Sequence, residues 1–155
     1  RRIASRVCPR YLFATAAARI LLWSLDPYSG ELHSERLQLA STVREVTALE
    51  FSADREALVA ATTSGDFLVV AVRSRTVIKS IPACRLGVTA LCRLGLGMVV
   101  GGGDGTVAIF NNSWDKVAAA TLCGGTVALS AAADGSEIVA GTGSGRIYRL
   151  RPPRQ

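Results

Sequence analysis

The chain alternates short apolar runs with polar or glycine-bearing breaks. In the clearest stretch, Val88-Thr89-Ala90-Leu91-Cys92 is one β-type run and Met98-Val99-Val100 a second. Val107-Ala108-Ile109-Phe110 is a third, and Val117-Ala118-Ala119-Ala120-Thr121-Leu122 a fourth, outer strand. Between the second and third runs stands Gly103-Asp104-Gly105, and Asp-Gly between apolar runs is a strong short hairpin signal. A two-residue turn of that kind needs positive φ, which glycine adopts without Cβ strain.

The unit repeats. Gly65, Gly105 and Gly145 stand 40 residues apart, each in a turn: Ser64-Gly65-Asp66, Asp104-Gly105-Thr106 and Ser144-Gly145-Arg146. Val59, Val99 and Val139 keep the same step before the turn, and Val70, Phe110 and Leu150 keep it after. Val77 and Val117 repeat it once more, and Asp54 and Asp134 stand two periods apart. Four strands per roughly 40 residues is the signature of a propeller blade. Small residues ahead of each turn (Ala60-Ala61, Gly101-Gly102, Ala140-Gly141) suit the narrow part of a blade near the axis. The unbroken apolar strands suit sheets covered on both faces by neighbouring blades. An irregular first copy reads Leu12-Phe13-Ala14-Thr15-Ala16, then Ala17-Ala18-Arg19 as a weaker turn, then Ile20-Leu21-Leu22-Trp23. Its Ala and Leu content also allows a helix, but the repeat register gives strand.

Composition narrows the reading. At 155 residues, 49% hydrophobic and 19% charged, the chain can build a packed core. The net charge of +6 is concentrated at the ends. Four arginines and no acid lie in the first ten residues, and the same in the last ten, which leaves ten bases against twelve acids over residues 11–145. A nucleic-acid surface concentrates its bases on the folded face, so no nucleic-acid partner is expected. No apolar run nears the roughly 18 residues that span a bilayer, and no membrane partner is expected either. The Arg-rich opening followed by Leu12–Ala16 also has the look of a targeting segment, but the repeat accounts for it.

Candidate chemistry adds little. Cys8, Cys84, Cys92 and Cys123 contain no C-x-x-C pair, and His33 is the sole histidine, so a metal site is not expected. Asn111-Asn112-Ser113 matches a glycosylation sequon and reads as a loop. Gly101-Gly102-Gly103-Asp104-Gly105 fails both the dinucleotide and the P-loop patterns, and no cofactor is expected. Asp104 reads as a hydrogen-bonding turn residue. No catalytic residue is assigned. Gly65, Asp104, Gly105 and Gly145 are the structural turn set. Trp114 is a candidate interface anchor, with partial burial against its blade the competing reading. Arg146 and Arg149 are candidate contacts for an acidic partner, or simply solvated flank.

Trp23-Ser24-Leu25-Asp26 approximates the apolar-strand, Trp, Asp ending of a WD repeat, and Val70, Phe110 and Leu150 hold the Trp place in the other copies. The Gly-His opening of the repeat, and with it the Asp-His-Ser-Trp network, is missing. Three further pieces sharpen the resemblance: Ala61-Thr62-Thr63-Ser64-Gly65-Asp66; Leu86-Gly87-Val88-Thr89-Ala90 with Val100 to Thr106; and Gly124-Gly125 through Gly141-Thr142 to Ile147-Tyr148-Arg149-Leu150. In this order they resemble the cilia- and flagella-associated protein 52 family and the related centriolar WD-repeat family, over about residues 11–150. The axonemal family has a basic Gly-Gln-Leu-Lys-Arg stretch between its first two blades. Here Leu39-Ala40-Ser41-Thr42-Val43-Arg44 stands instead, which shifts weight to the centriolar relatives. The resemblance implies a non-enzymatic scaffold at the axoneme or centriole, with tubulin and other axonemal or centriolar proteins as partners, lining the inner wall of doublet or triplet microtubules.

The fold class is therefore all-β, with about four WD-type β-propeller blades. Residues 1–10 read as a basic flank, 11–150 as the propeller segment with blades near 11–39, 43–82, 86–123 and 124–150, and 151–155 as a second flank. The chain begins at Arg1, as a processed, trimmed or excerpted chain would. A closed propeller has roughly 4 to 8 blades, and three full copies with one partial copy leave apolar ends open. The expected partner is thus the rest of its own propeller. A native mass above 16.3 kDa for the isolated chain, from self-association through those ends, is the expected outcome. A well-folded monomer of that mass would count against it.

Overall fold

The computed structural model describes residues 2–6, 12–16, 20–26, 28–37 and 45–153, the first two segments by backbone alone. The described residues form four antiparallel sheets, each a meander of strands consecutive in sequence. Blade 1 is β1 (Arg2–Arg6), β2 (Leu12–Ala16), β3 (Ile20–Leu25) and β4 (Leu32–Arg36). Blade 2 is β5 (Val46–Phe51), β6 (Ala57–Thr62), β7 (Asp66–Ala71) and β8 (Thr76–Pro82). Blade 3 is β9 (Val88–Leu94), β10 (Gly97–Gly102), β11 (Thr106–Phe110) and β12 (Lys116–Thr121). Blade 4 has three strands among the described residues: β13 (Thr126–Ala131), β14 (Ile138–Thr142) and β15 (Ile147–Leu150).

The first strands stand side by side in succession, β1 against β5, β5 against β9 and β9 against β13. The fourth strands β4, β8 and β12 face outward and are largely exposed. In between, every residue of β6 is buried and β7 is buried along its centre, as expected of a sheet covered on both faces. Strand β14 alternates buried and more open positions, because only one of its faces is covered.

The core is therefore three layers lying between blades. Ile20, Leu22 and Leu37 of blade 1 and its exit pack with Leu49, Phe51, Leu58, Leu68 and Val70 of blade 2. Val59, Phe67 and Val69 of blade 2 pack with Val88, Met98, Val100 and Phe110 of blade 3. There the Phe67 and Phe110 rings meet edge to face, with centroids 4.8 Å apart. Val99 and Val107 of blade 3 pack with Ile138 and Ala140 of blade 4, flanked by Tyr148 and Leu150.

Two expectations meet the structure differently. Arg2–Arg6, within the stretch read as a flank, pairs along β2 from Arg2↔Ala16 to Arg6↔Leu12. Its arginines, interrupted only by Ile3 and small residues, hid the strand. Leu12–Ala16 and Ile20–Trp23 are strand, as the register indicated, while Ala17-Ala18-Arg19 and the departing stretch 39–44 lie outside the described residues. The repeated turns are three-residue loops, not two-residue ones. β6 ends at Thr62 and β7 begins at Asp66, and β10 ends at Gly102 and β11 begins at Thr106. In blade 4 the Thr142 amide donates to the Arg146 carbonyl at 2.9 Å. Such a loop needs only its last residue left-handed, and Gly65, Gly105 and Gly145 take that place with φ of +94°, +84° and +79°. Asp104 then needs no left-handed conformation.

Two of these glycines carry a second constraint. A Cβ on Gly65 would lie 2.2 Å from the Cys84 carbonyl oxygen, and one on Gly105 2.4 Å from that of Leu122. The chain leaving β8 and β12 crosses the turn there: the Ala83 amide donates to Gly65 O at 3.0 Å and the Leu122 amide to Gly105 O at 2.9 Å. At Gly145 a Cβ would meet nothing within 4 Å. Gly145→Ala should thus lose only the left-handed penalty, about 1–2 kcal/mol. Gly65→Ala and Gly105→Ala should lose about 1–3 kcal/mol more from the backbone collision. Urea denaturation of the three variants checks the ranking.

Candidate interaction surfaces

The glycine turns and the blade-to-blade connections share one rim, and its polar groups are committed to each other. Asp104 accepts from the Arg85 amide at 2.8 Å and from the Thr106 amide at 2.9 Å. Arg85 lies on the connection from blade 2, so this carboxylate ties the incoming chain to the hairpin of blade 3. Burial pushes its pKa up, but the bonds from Arg85 and Thr106 outweigh that and hold it below the usual carboxylate range. Ser144, one period on, stands 2.9 Å from the Thr142 hydroxyl and donates to Cys123 O at 3.2 Å. Small residues are obligatory in this rim: a Cβ on Gly102 would lie 2.5 Å from Cys84 Sγ, and one on Gly125 2.5 Å from Gly103 O.

A second link between blades involves residues the repeat analysis passed over. Thr47 stands at the irregular step in the β5–β6 ladder, and its hydroxyl donates to Val88 O of the next blade. Thr89 stands at the same step of β9–β10, and its hydroxyl donates to Thr126 O of the blade after. The signal was in the chain: Val46-Thr47-Ala48-Leu49 recurs as Val88-Thr89-Ala90-Leu91. In blade 4 the order is swapped to Thr126-Val127, and Val127 is half exposed.

The opposite rim carries Trp114. Asn111 Oδ1 accepts from the amides of Ser113 at 3.0 Å and Asp115 at 2.8 Å, shaping the turn. Trp114 is left-handed at φ +70° and half-buried, its ring 6.2 Å from Phe67 of blade 2. Arg146 is exposed beside the Gly145 turn, on the other rim. Arg149 is exposed on β15 and forms a two-point ion pair with Glu137, its Nε donating to Oε2 at 2.7 Å and a terminal nitrogen to Oε1. The pair raises the Arg149 pKa and lowers that of Glu137. Arg149 holds the repeat position of Val69 and Ile109, which face the next blade. Trp114, Arg146 and Arg149 therefore lie on three separate surfaces.

The thiols are packing groups. Burial pushes Cys84 up to about 11; burial, with Glu50 nearby, pushes Cys92 up to about 12. Both are neutral at physiological pH. Cys123 is exposed, and Cys8 lies outside the described residues. Among the described residues no group of three His, Cys, Asp or Glu side chains is placed to hold a metal.

The sheets, their order and the repeat define an all-β protein of β-propeller blades. Solved structures agree on the fold. A chain of the mitotic checkpoint complex superposes with a TM-score of 0.77 over 96% of this chain and 45% of its own, at 14% identity. The computationally designed Ika4 protein superposes with a TM-score of 0.75 over 97% and 89%, at 20% identity. In sequence the chain is similar to cilia- and flagella-associated protein 52 of Bos taurus, 28% identical over 149 residues and 92% of this chain. The Sus scrofa protein of the same name matches to the same extent. The chain spans 24% of the length of these relatives. No protein-family model matches it.

Two variants test the inter-blade links. Thr89→Val should lose about 1 kcal/mol of unfolding free energy. Asp104→Asn should destabilise at neutral pH. Because the folded carboxylate titrates lower than the unfolded one, its stabilisation is present above about pH 4 and fades as pH falls through the folded value. The gap in melting temperature between parent and Asp104→Asn should therefore close in acid. A gap that persists there would mean the amide fails for reasons other than charge.

Proposed function

We propose that this chain is part of a non-enzymatic protein-interaction scaffold on ciliary or centriolar microtubules, binding tubulin and neighbouring axonemal or centriolar proteins. The observation that carries this reading is the 28% identity to cilia- and flagella-associated proteins across 92% of the chain. The chemistry of the blades supports it. Asp104 and Asp134 spend their carboxylates on nearby backbone amides, and the buried thiols are protonated. These are groups that hold turns and fill cores.

The first partner is the rest of the protein's own propeller. Val127, Val139 and Ile147 on the open face of blade 4 are 51%, 44% and 79% exposed. Two of them continue positions that blades 2 and 3 bury: Val59, Val99 and Phe67 are closed off completely, and Val107 nearly so. An apolar face of this kind fits a following blade. The working location is the cytoskeleton of the cilium, flagellum or centriole.

Localisation of the tagged full-length parent protein in a ciliated cell, at a resolution separating centriole from axoneme, tests the reading. Signal on either structure is the expected result, and it also decides between the two. Diffuse or nuclear signal would overturn the microtubule reading and leave a general WD-repeat adaptor of another cytosolic or nuclear complex.

A further inference from the structure

Blades 2 and 3 do not close completely at the rim that carries Trp114. A groove of about 440 Å³ opens there. Its walls are Ala53, Asp54 and Glu56 from the β5–β6 loop, Ile78 of β8, Leu96 at the β9–β10 turn, and Trp114. Two of these side chains sit where the fold alone gives them little to do, and the third, Trp114, packs on the core beside Phe67 with part of its ring left open. Leu96 stands in the two-residue turn between the Leu94↔Gly97 pair and is 71% exposed. Ile78, on an outer strand, is 55% exposed. Trp114 is left-handed, as Arg75 is in the β7–β8 turn of blade 2, while Gly30 fills a left-handed place in the β3–β4 turn of blade 1. Two exposed apolar side chains gathered with a half-buried indole around one groove point to an interaction at that groove.

The groove also has a sign. Asp54 and Glu56 stand on one wall. The bonds from the Ser52 hydroxyl and the Glu56 amide keep Asp54 below the usual carboxylate range, hence ionised. Arg55 lies between Asp54 and Glu56 in sequence but lines the neighbouring pocket beside blade 1, and Lys79, whose Nζ donates to Ser113 O at 3.0 Å, and Lys116, 5.9 Å over the Phe110 ring, stand outside the groove lining. An apolar slot with an indole wall and an acidic edge suits an amphipathic, cationic occupant. We propose that this groove docks an extended peptide segment of a partner protein, placing a bulky apolar side chain against Trp114, Ile78 and Leu96 and an adjacent Lys or Arg beside Asp54 and Glu56. Half-buried Trp residues of this kind are frequent binding hot spots, and the volume suits one or two side chains. The proposal deepens the scaffold reading and rests on it, but a binding measurement on the chain itself reads it independently of cellular location.

Fluorescence anisotropy with short labelled Gly/Ser peptides carrying a central Leu-Arg, Leu-Glu or Ser-Arg pair is the test. The Leu-Arg peptide should bind at least about tenfold more tightly than either of the others. Trp114→Ala should weaken it by about tenfold or more. Because Trp114 also packs on Phe67, the decisive variant is Ile78→Ser with Leu96→Ser, both exposed: binding should be lost with the denaturation midpoint unchanged. Glu56→Gln should erode the preference for Leu-Arg over Leu-Glu while keeping that for Leu over Ser. Equal binding of the Leu-Glu peptide, no binding of any peptide, or binding unchanged in the double Ser variant would overturn the proposal. So would a native mass that falls from dimer to monomer in that variant, which would assign the groove to a second copy of the chain.

Discussion

Burial of apolar strand faces between successive blades is the interaction on which everything else in this structure depends. A four-stranded meander such as β5–β8 has Val59, Phe67 and Val69 on one face and Leu58, Leu68 and Val70 on the other. Neither face can be covered from within its own sheet. Each blade is therefore stable only as a neighbour, and the stability of the array is a sum of blade and interface terms. This explains why the middle strands are apolar at nearly every position while β4, β8 and β12 are not, and why the surface open to partners consists of outer strands, loops and the last uncovered face.

Stacking sheets this way places backbone against backbone at the turn rim, and the polar chemistry of the chain serves that contact. Gly65 and Gly105 let the outgoing strand pass over the hairpin, Asp104 captures the amide of the incoming one, and Thr47 and Thr89 reach from one blade to a carbonyl of the next. The hydrogen bonds orient blades that apolar burial has already brought together. The opposite rim has no such demand, and there the loops differ from blade to blade, with Leu96 exposed and Trp114 only partly taken up by packing on Phe67.

Much of this was legible from the chain because a period of 40 residues fixes strand register better than local propensity does. The glycine turns, the paired apolar runs and the strand character of Leu12–Ala16 and Ile20–Trp23, against their helical composition, all followed from it. What escaped had physical causes. β1 is masked by arginines whose place in a strand no local pattern reveals. The loop length was misread because Asp-Gly is the signal of a two-residue turn, whereas here glycine is the last of three and Asp104 keeps an ordinary conformation. The Thr47 and Thr89 links follow a 42-residue step, because the loops between them differ in length from those around the glycines. Arg149 looked like part of a charged tail, yet it sits on β15 paired with Glu137. The groove beside Trp114 joins residues from four separate segments, which no single stretch of sequence could announce.

Native-state hydrogen exchange, compared between this chain and the full-length parent protein, tests blade stacking most directly. Amides of β6, β7, β10 and β11, covered on both faces, should be the most protected in either sample. Those of β14 and β15 should exchange faster in the isolated chain and gain protection in the parent, where the proposed following blade would cover Val139 and Ile147. Equal protection of β14 and β15 in both samples would contradict the account, because it would mean that the last blade is complete without a neighbour.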